Sequence, residues 1–218
     1  MAENTRNRLK WRLVLLALAL AALLFHVPEG HAVPIVGGTD FVFTSDGGKI
    51  ESSGDPANTA DGNTANGPFS DQTIGVRYTI TGPNTPIETL PITLVYTFNE
   101  LFDITGDFTL YNGWDLSGQA IDAFTLTFFD TGGIQIGSPF SGNGSAAVTT
   151  DVFALGTTFP DVQSVELQVT SVHSGELEFR EIAFEGSASS PSPLSGPSTA
   201  LLLGAGVLGL VLRRRRRG

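Results

Sequence analysis

An all-β fold, a single β-sandwich or jelly roll, is what this sequence predicts, and three observations predict it. From Val33 to Gly186 apolar residues recur with a period of two and show no sustained helical spacing. The alternating runs are short and are separated by Gly, Asn, Asp and Pro, residues that tolerate positive φ or pre-set a turn. Roughly eight or more such runs follow one another, the number that builds two packed antiparallel layers.

The chain opens on Arg6, Arg8, Lys10 and Arg12, followed by an uninterrupted apolar run from Leu13 to Phe25. This is the charged region and hydrophobic region of a secretory signal peptide. The run is short for a hydrocarbon core of about 30 Å, and Gly30-His31-Ala32 offers small residues for cleavage after Ala32. The alternative is an uncleaved N-terminal anchor, against which the break at Pro28-Glu29-Gly30 argues.

The exported domain is expected over residues 33–186. Its clearest strands are Ile92-Leu94-Tyr96-Phe98, Phe124-Leu126-Phe128 and Val165-Leu167-Val169, each alternating with Thr, Glu, Gln or Val, so that each has one core face. Further strands are expected at Phe41–Phe43, Ile74–Ile80, Phe108–Tyr111, Ile134–Ile136, Ala147–Leu155 and Leu177–Phe184. Asp46-Gly47-Gly48, Gly82-Pro83-Asn84, Asn112-Gly113 and Thr131-Gly132-Gly133 supply turns. In the last strand Leu177 and Phe179 hold one phase while Ile182 and Phe184 hold the other. The slip at Arg180-Glu181 predicts a β-bulge that re-aims Glu181 toward the sandwich edge.

Beyond the domain, residues 187–198 form a Ser/Pro-rich linker, residues 199–212 an apolar, glycine-containing membrane segment, and residues 213–218 an arginine-rich tail expected to stay cytoplasmic. A nucleic-acid-binding tail is the competing reading of the arginines, and their position directly behind an apolar run argues against it. Pro191-Ser192-Pro193-Leu194-Ser195-Gly196-Pro197-Ser198-Thr199, the short hydrophobic segment and Arg213 to Arg217 together resemble the PEP-CTERM sorting signal. The resemblance covers the final stretch alone, with Pro-Ser-Pro where that family most often has Pro-Glu-Pro. It implies processing by an exosortase at the surface of a Gram-negative bacterium, with transient membrane anchoring at the C-terminus.

The charge balance narrows the partners. With four basic residues before Ala32 and five in the tail, Lys49, Arg77 and Arg180 face 20 acids, a formal charge of −17 on the exported part. Such a surface repels nucleic acid and anionic lipid and attracts cations. The chain has no cysteine, which excludes disulfides, thiolate metal ligands and thiol catalysis.

Oxygen-bearing residues recur through Asn58-Thr59-Ala60-Asp61-Gly62-Asn63-Thr64, a spacing that suits calcium, which takes six to eight hard oxygen ligands. Glu181 is the candidate carboxylate from elsewhere in the chain. The alternative reads Asp61-Gly62-Asn63 as a turn and Glu181 as a solvated edge charge.

Asn58-Thr59-Ala60-Asp61-Gly62-Asn63, Phe108-Thr109-Leu110-Tyr111-Asn112 and Phe179-Arg180-Glu181-Ile182-Ala183-Phe184-Glu185-Gly186 are similar to segments of the galactose-binding-like jelly rolls. That family includes discoidin domains, fucose lectins and related carbohydrate-binding modules. The resemblance implies a structural Ca2+ held by backbone oxygens of Asn58 and Asn63 and carboxylates of Asp61 and Glu181, with a further ligand near Ser70. Fucose lectins of this fold hold sugar with a histidine and arginines, whereas here the exported part has only His173, Arg77 and Arg180, so the resemblance does not carry over a sugar site. His173 reads as an exposed loop residue. Trp114 is the candidate ligand-binding residue, as a sugar-stacking platform, or else a cap on the core.

No nucleophile elbow, HExxH or phosphate loop is present, and a Ser-His-Asp triad would have to use the single exported histidine. A paired-carboxylate glycosidase stays open, because the separation of two acids is invisible in sequence. The resemblances to the galactose-binding-like jelly rolls and to the sorting signal imply a surface-displayed, non-catalytic binding module for carbohydrate or exopolysaccharide. The alternative is a structural matrix or protein-interaction protein without a sugar site.

Overall fold

Alternation of buried and half-exposed residues, carried on β-branched and aromatic side chains, produces ten strands among the described residues, 32–68, 70–81, 87–114 and 119–189 of a computed structural model. They are β1 (Val33–Val36), β2 (Phe41–Ser45), β3 (Ser53–Gly54), β4 (Val76–Thr79), β5 (Ile92–Asn112), β6 (Ile121–Phe129), β7 (Gln135–Asn143), β8 (Thr149–Ala154), β9 (Phe159–Val172) and β10 (Glu176–Ala188). A 3₁₀ turn, Pro56–Ala60, starts after Asp55, whose carboxylate accepts from the Ala57 N–H.

Every strand pair is antiparallel, and the all-β sandwich expected from the pattern is the fold observed. The front layer runs β2, the first half of β5, β9, β6, β7. The back layer runs β8, the second half of β5, and β10, whose far edge is shared by β4 and β1, with β3 outside β4.

The sequence reading treats Ile92–Phe98 and Phe108–Tyr111 as separate strands, but the chain continues through both as β5, 21 residues long. Register shifts on its β9 side between Thr97 and Ile104 mark where it bends from one layer to the other. At the bend Asn99 is anchored twice, its N–H on the Asp40 carbonyl and its side-chain amide on the Thr39 carbonyl. β1 and β3 were not foreseen. They are too short to show a period, although Ile35 is 1% exposed.

Between the layers lies an aromatic core. Phe184 of β10 meets Phe41, Phe98, Phe108 and Phe128 at centroid distances of 5.9, 5.8, 5.3 and 6.0 Å, so one ring touches both layers. β10 also passes the expected domain end at Gly186: Ser187 and Ala188 pair with Asp103 and Phe102, and the Ser189 N–H donates to the Leu101 carbonyl. The expected signal peptide and its helix, the sorting motif, the membrane segment with its helix, the arginine tail and the Gly82-Pro83-Asn84 turn lie outside the described residues. Among the described residues no helix is long and apolar enough to cross a membrane.

Candidate functional site

The site grows from the phase slip in β10. Phe179 pairs with Asn112 and Glu181 with Tyr111, which leaves Arg180 as the extra residue of a β-bulge at the predicted position. Leu177 and Phe179 point into the core before it, Ile182 and Phe184 after it, and all four are buried. The bulge therefore turns two consecutive side chains, Arg180 and Glu181, to the outer side of the back layer, where the loop that contains Asp61 covers them.

These neighbours hold the loop by opposite polarity. Glu181 Oε2 accepts from the backbone N–H of Asp61 at 3.2 Å and of Gly62 at 3.0 Å. Arg180 donates from Nη1 to the Thr64 carbonyl at 2.9 Å, and its other nitrogens reach the carbonyls of Gly113 at 2.9 Å, Thr149 at 2.8 Å and Asn112 at 3.4 Å. One guanidinium thereby fastens two loops and the start of β8, a task suited to its planar fork of donors. Sequence reasoning missed this role of Arg180, because its carbonyl partners lie 116, 67 and 31 residues away and no local pattern joins them.

Glu181 is fully buried, and its Oε1 has no hydrogen-bond partner. Burial pushes its carboxyl up to about 8, although the backbone N–H bonds from Gly62 and Asp61 pull the other way. Oε1 lies against Gly37: a Cβ built there would sit 2.6 Å from it and 2.5 Å from the Ala60 carbonyl carbon. Below the same loop the Thr59 and Tyr96 hydroxyls share a buried hydrogen bond of 2.9 Å.

The other expected ligands divide. The Asn58 side chain donates to the carbonyls of Gln72 at 2.7 Å and Gly75 at 3.0 Å, bracing the loop rather than facing Glu181. Asp61 and Asn63 form successive Asx turns, each carboxamide or carboxylate oxygen accepting the N–H two residues on. Ser70 is exposed and Asp61 is exposed, while Glu181 is buried under the loop. Among the described residues no three His, Cys, Asp or Glu side chains converge as metal ligands, so a cation here would rest on two carboxylates and backbone oxygens.

Trp114 is corrected. It is fully buried, and its indole edge approaches Gly54 closely enough that a Cβ there would lie 3.2 Å from it. A stacking platform needs an exposed face, so this residue packs as the cap on the structure and not as a sugar shelf. His173 is likewise engaged: its Nε2 lies 2.8 Å from the Gly144 carbonyl and 3.6 Å from Asp122. Arg77 sits on β4 between Glu176 at 3.4 Å and Glu178 at 3.7 Å.

Next to Arg180 a second hub knits the loop end. Asn112 is fully buried, donates to the carbonyls of Ile121 and Ser145 and to Asp151, and accepts from the N–H groups of Gly113 and Ile121. Asp151 accepts from both the N–H and the hydroxyl of Ser145. Hydrogen bonds from Ser145, Thr149 and Asn112 hold the Asp151 carboxyl below its ordinary range, although its partial burial pushes hardest in the other direction.

No family model matches the chain, and no curated protein matches it. Solved structures do. The C-terminal domain of a chitobiase from Bacteroides fragilis is 14% identical, covers 71% of this chain and 99% of its own, and superposes with a TM-score of 0.51. The family 32 carbohydrate-binding module of Streptococcus pneumoniae EndoD is 12% identical, covers 70% of this chain and 98% of its own, and gives 0.50. At these identities the likeness is one of fold, and the fold is the expected jelly roll.

Proposed function

We propose that this chain is an exported, surface-anchored, non-catalytic carbohydrate-binding module, acting on polysaccharide of the envelope or extracellular matrix of a Gram-negative bacterium. The observation that carries the reading is the sandwich itself, which superposes on a carbohydrate-binding module over 98% of that module's length. Fold does not fix function, so the ligand must be tested directly. Export rests on the charged and apolar opening of the sequence, and anchoring on the PEP-CTERM-like ending, which an exosortase would process.

Within this reading the bulge site takes a structural Ca2+. The buried, partnerless Oε1 of Glu181 is what favours it, since a buried carboxylate oxygen without a partner is costly and a hard cation relieves that cost. Asp61 and Glu181 would supply carboxylates, and Asn58 and Asn63 backbone oxygens. The ion would supply charge neutralisation to Glu181 and fix the loop.

The test is binding of the purified chain to exopolysaccharide of the producing cell, with calcium and again with chelator. Saturable binding that weakens on chelation, or with Asp61→Ala, supports the module and its ion. A folded protein that binds in neither condition sinks the carbohydrate reading. The second reading, a structural or protein-interaction protein without a sugar site, draws on the burial of Trp114.

A further inference from the structure

The outer face of the front layer differs from the rest of the exported surface. Across β5, β9 and β6 its rows are Thr97, Ser164 and Phe129, then Val95, Glu166 and Thr127, then Thr93, Gln168 and Thr125. β2 extends the first row with Val42, and β7 extends the outer two with Gln135 and Ser141. Glu166 is the one charged side chain in these rows, on a segment with 20 acids. Asp122 and Asp130 fall past the two ends of the rows, tied to Ser171 and to the Gly132 and Ile134 N–H groups.

The polar groups of the face are already ordered by one another. Thr44 donates its hydroxyl to that of Thr97 at 2.7 Å, Gln168 donates its amide to Thr93 at 3.4 Å, and the Thr125 and Ser141 hydroxyls meet at 3.3 Å. Side chains held in place lose less freedom when a ligand arrives. At the loop end, by contrast, Arg180, Asn112 and Asp151 spend their hydrogen bonds on backbone and on each other, and Trp114 is buried.

We propose that the polysaccharide is bound on this sheet face, and that it is an uncharged polymer gripped along its length rather than by a terminal sugar. The inference rests on the carbohydrate reading and names its binding face and ligand class. Thr and Ser hydroxyls and Gln amides both donate and accept, as sugar hydroxyls do. Val42, Val95 and Phe129 supply apolar patches for the C–H faces of sugar rings. Five strands spaced about 4.8 Å apart make a face about 19 Å wide, which suits a polymer. An anionic polymer meets the repulsion of −17 charges, as does a second copy of the chain, whose apolar contact here would be small.

Exopolysaccharide of the producing cell, separated by anion exchange into neutral and acidic fractions, tests this with the full-length chain. The neutral fraction is expected to bind, and the triple variant Thr97→Val, Thr125→Val, Gln168→Leu to bind it about tenfold more weakly, since each lost hydrogen-bonding group faces sugar hydroxyls left unpaired. Valine keeps the shape and strand preference of threonine, so an unchanged urea midpoint shows that the variant is folded. As a measurement free of mutation, amide shifts on adding the neutral fraction are expected along Thr93–Thr97 and Ser164–Thr170. Equal binding by the triple variant, shifts confined to the loop end, or binding of the acidic fraction alone overturns the face while the carbohydrate reading survives. Binding of neither fraction by the wild-type chain overturns both.

Discussion

Glu181 is held by two backbone N–H groups yet has one oxygen buried without a partner, and its pH behaviour follows. The folded state raises its carboxyl to about 8 from an ordinary 4.5, so the folded protein keeps a proton that the unfolded chain has released. In metal-free buffer the contribution is complete below about 4.5 and is lost as pH rises through about 8. Urea midpoints of the wild type should therefore fall between those limits, and Glu181→Gln should flatten the decline. An unchanged slope in the variant would assign the pH dependence to another group. Gly37→Ala should loosen the same loop, because the added methyl would meet both Ala60 and Glu181; faster amide exchange at Asp61 and Gly62 is the readout. The pairing of Glu181 with the Asp61 segment was legible from the phase slip that re-aims Glu181 together with the resemblance to the galactose-binding-like jelly rolls. The burial of Trp114 was not, because a tryptophan after a turn can stack or cap, and the packing around it decides which.

The bulge in β10 does two jobs at the level of the strand. It lets Leu177 and Phe179 on one side, and Ile182 and Phe184 on the other, all reach the core, and it frees Arg180 to fasten loops. Arg180→Lys should not rescue Arg180→Ala, since a single ammonium cannot serve carbonyls at Thr64, Gly113 and Thr149 together. The Gly113 carbonyl left buried and unpaired costs about 1–3 kcal/mol, so both variants should lose stability by urea denaturation and exchange faster around Thr64, Gly113 and Thr149. Phe184→Ala should cost about 3–5 kcal/mol in the same assay, the range for a large aromatic removed from a packed core. The bulge could be read from the sequence because apolar phase is an arithmetic property of the chain. The continuity of β5 could not, since Asn99 and Glu100 break its alternation where it bends between layers, and their polar character reads as a loop.

At the scale of the whole molecule, 20 acids against three bases over residues 33–212 make self-repulsion a standing cost of compactness. Raising sodium chloride from about 0.01 M to about 0.15 M shortens the screening length from about 30 Å to about 8 Å. The thermal midpoint in chelator should rise over that range, and a midpoint independent of salt would mean that the acids are too dispersed to repel. Fold class was legible at this scale because period-two patterning survives any arrangement of strands; which layer each strand joins depends on pairings far apart in sequence. The placement of β10 has a mechanical meaning as well. It runs between β5 on one side and β4 with β1 on the other, and it ends at Ala188, on the side where the chain leads toward its proposed anchor. Tension drawn along that end loads two hydrogen-bonded ladders in parallel and in shear, rather than peeling one strand from an edge bond by bond. A domain pulled from that end would therefore resist as a clamp.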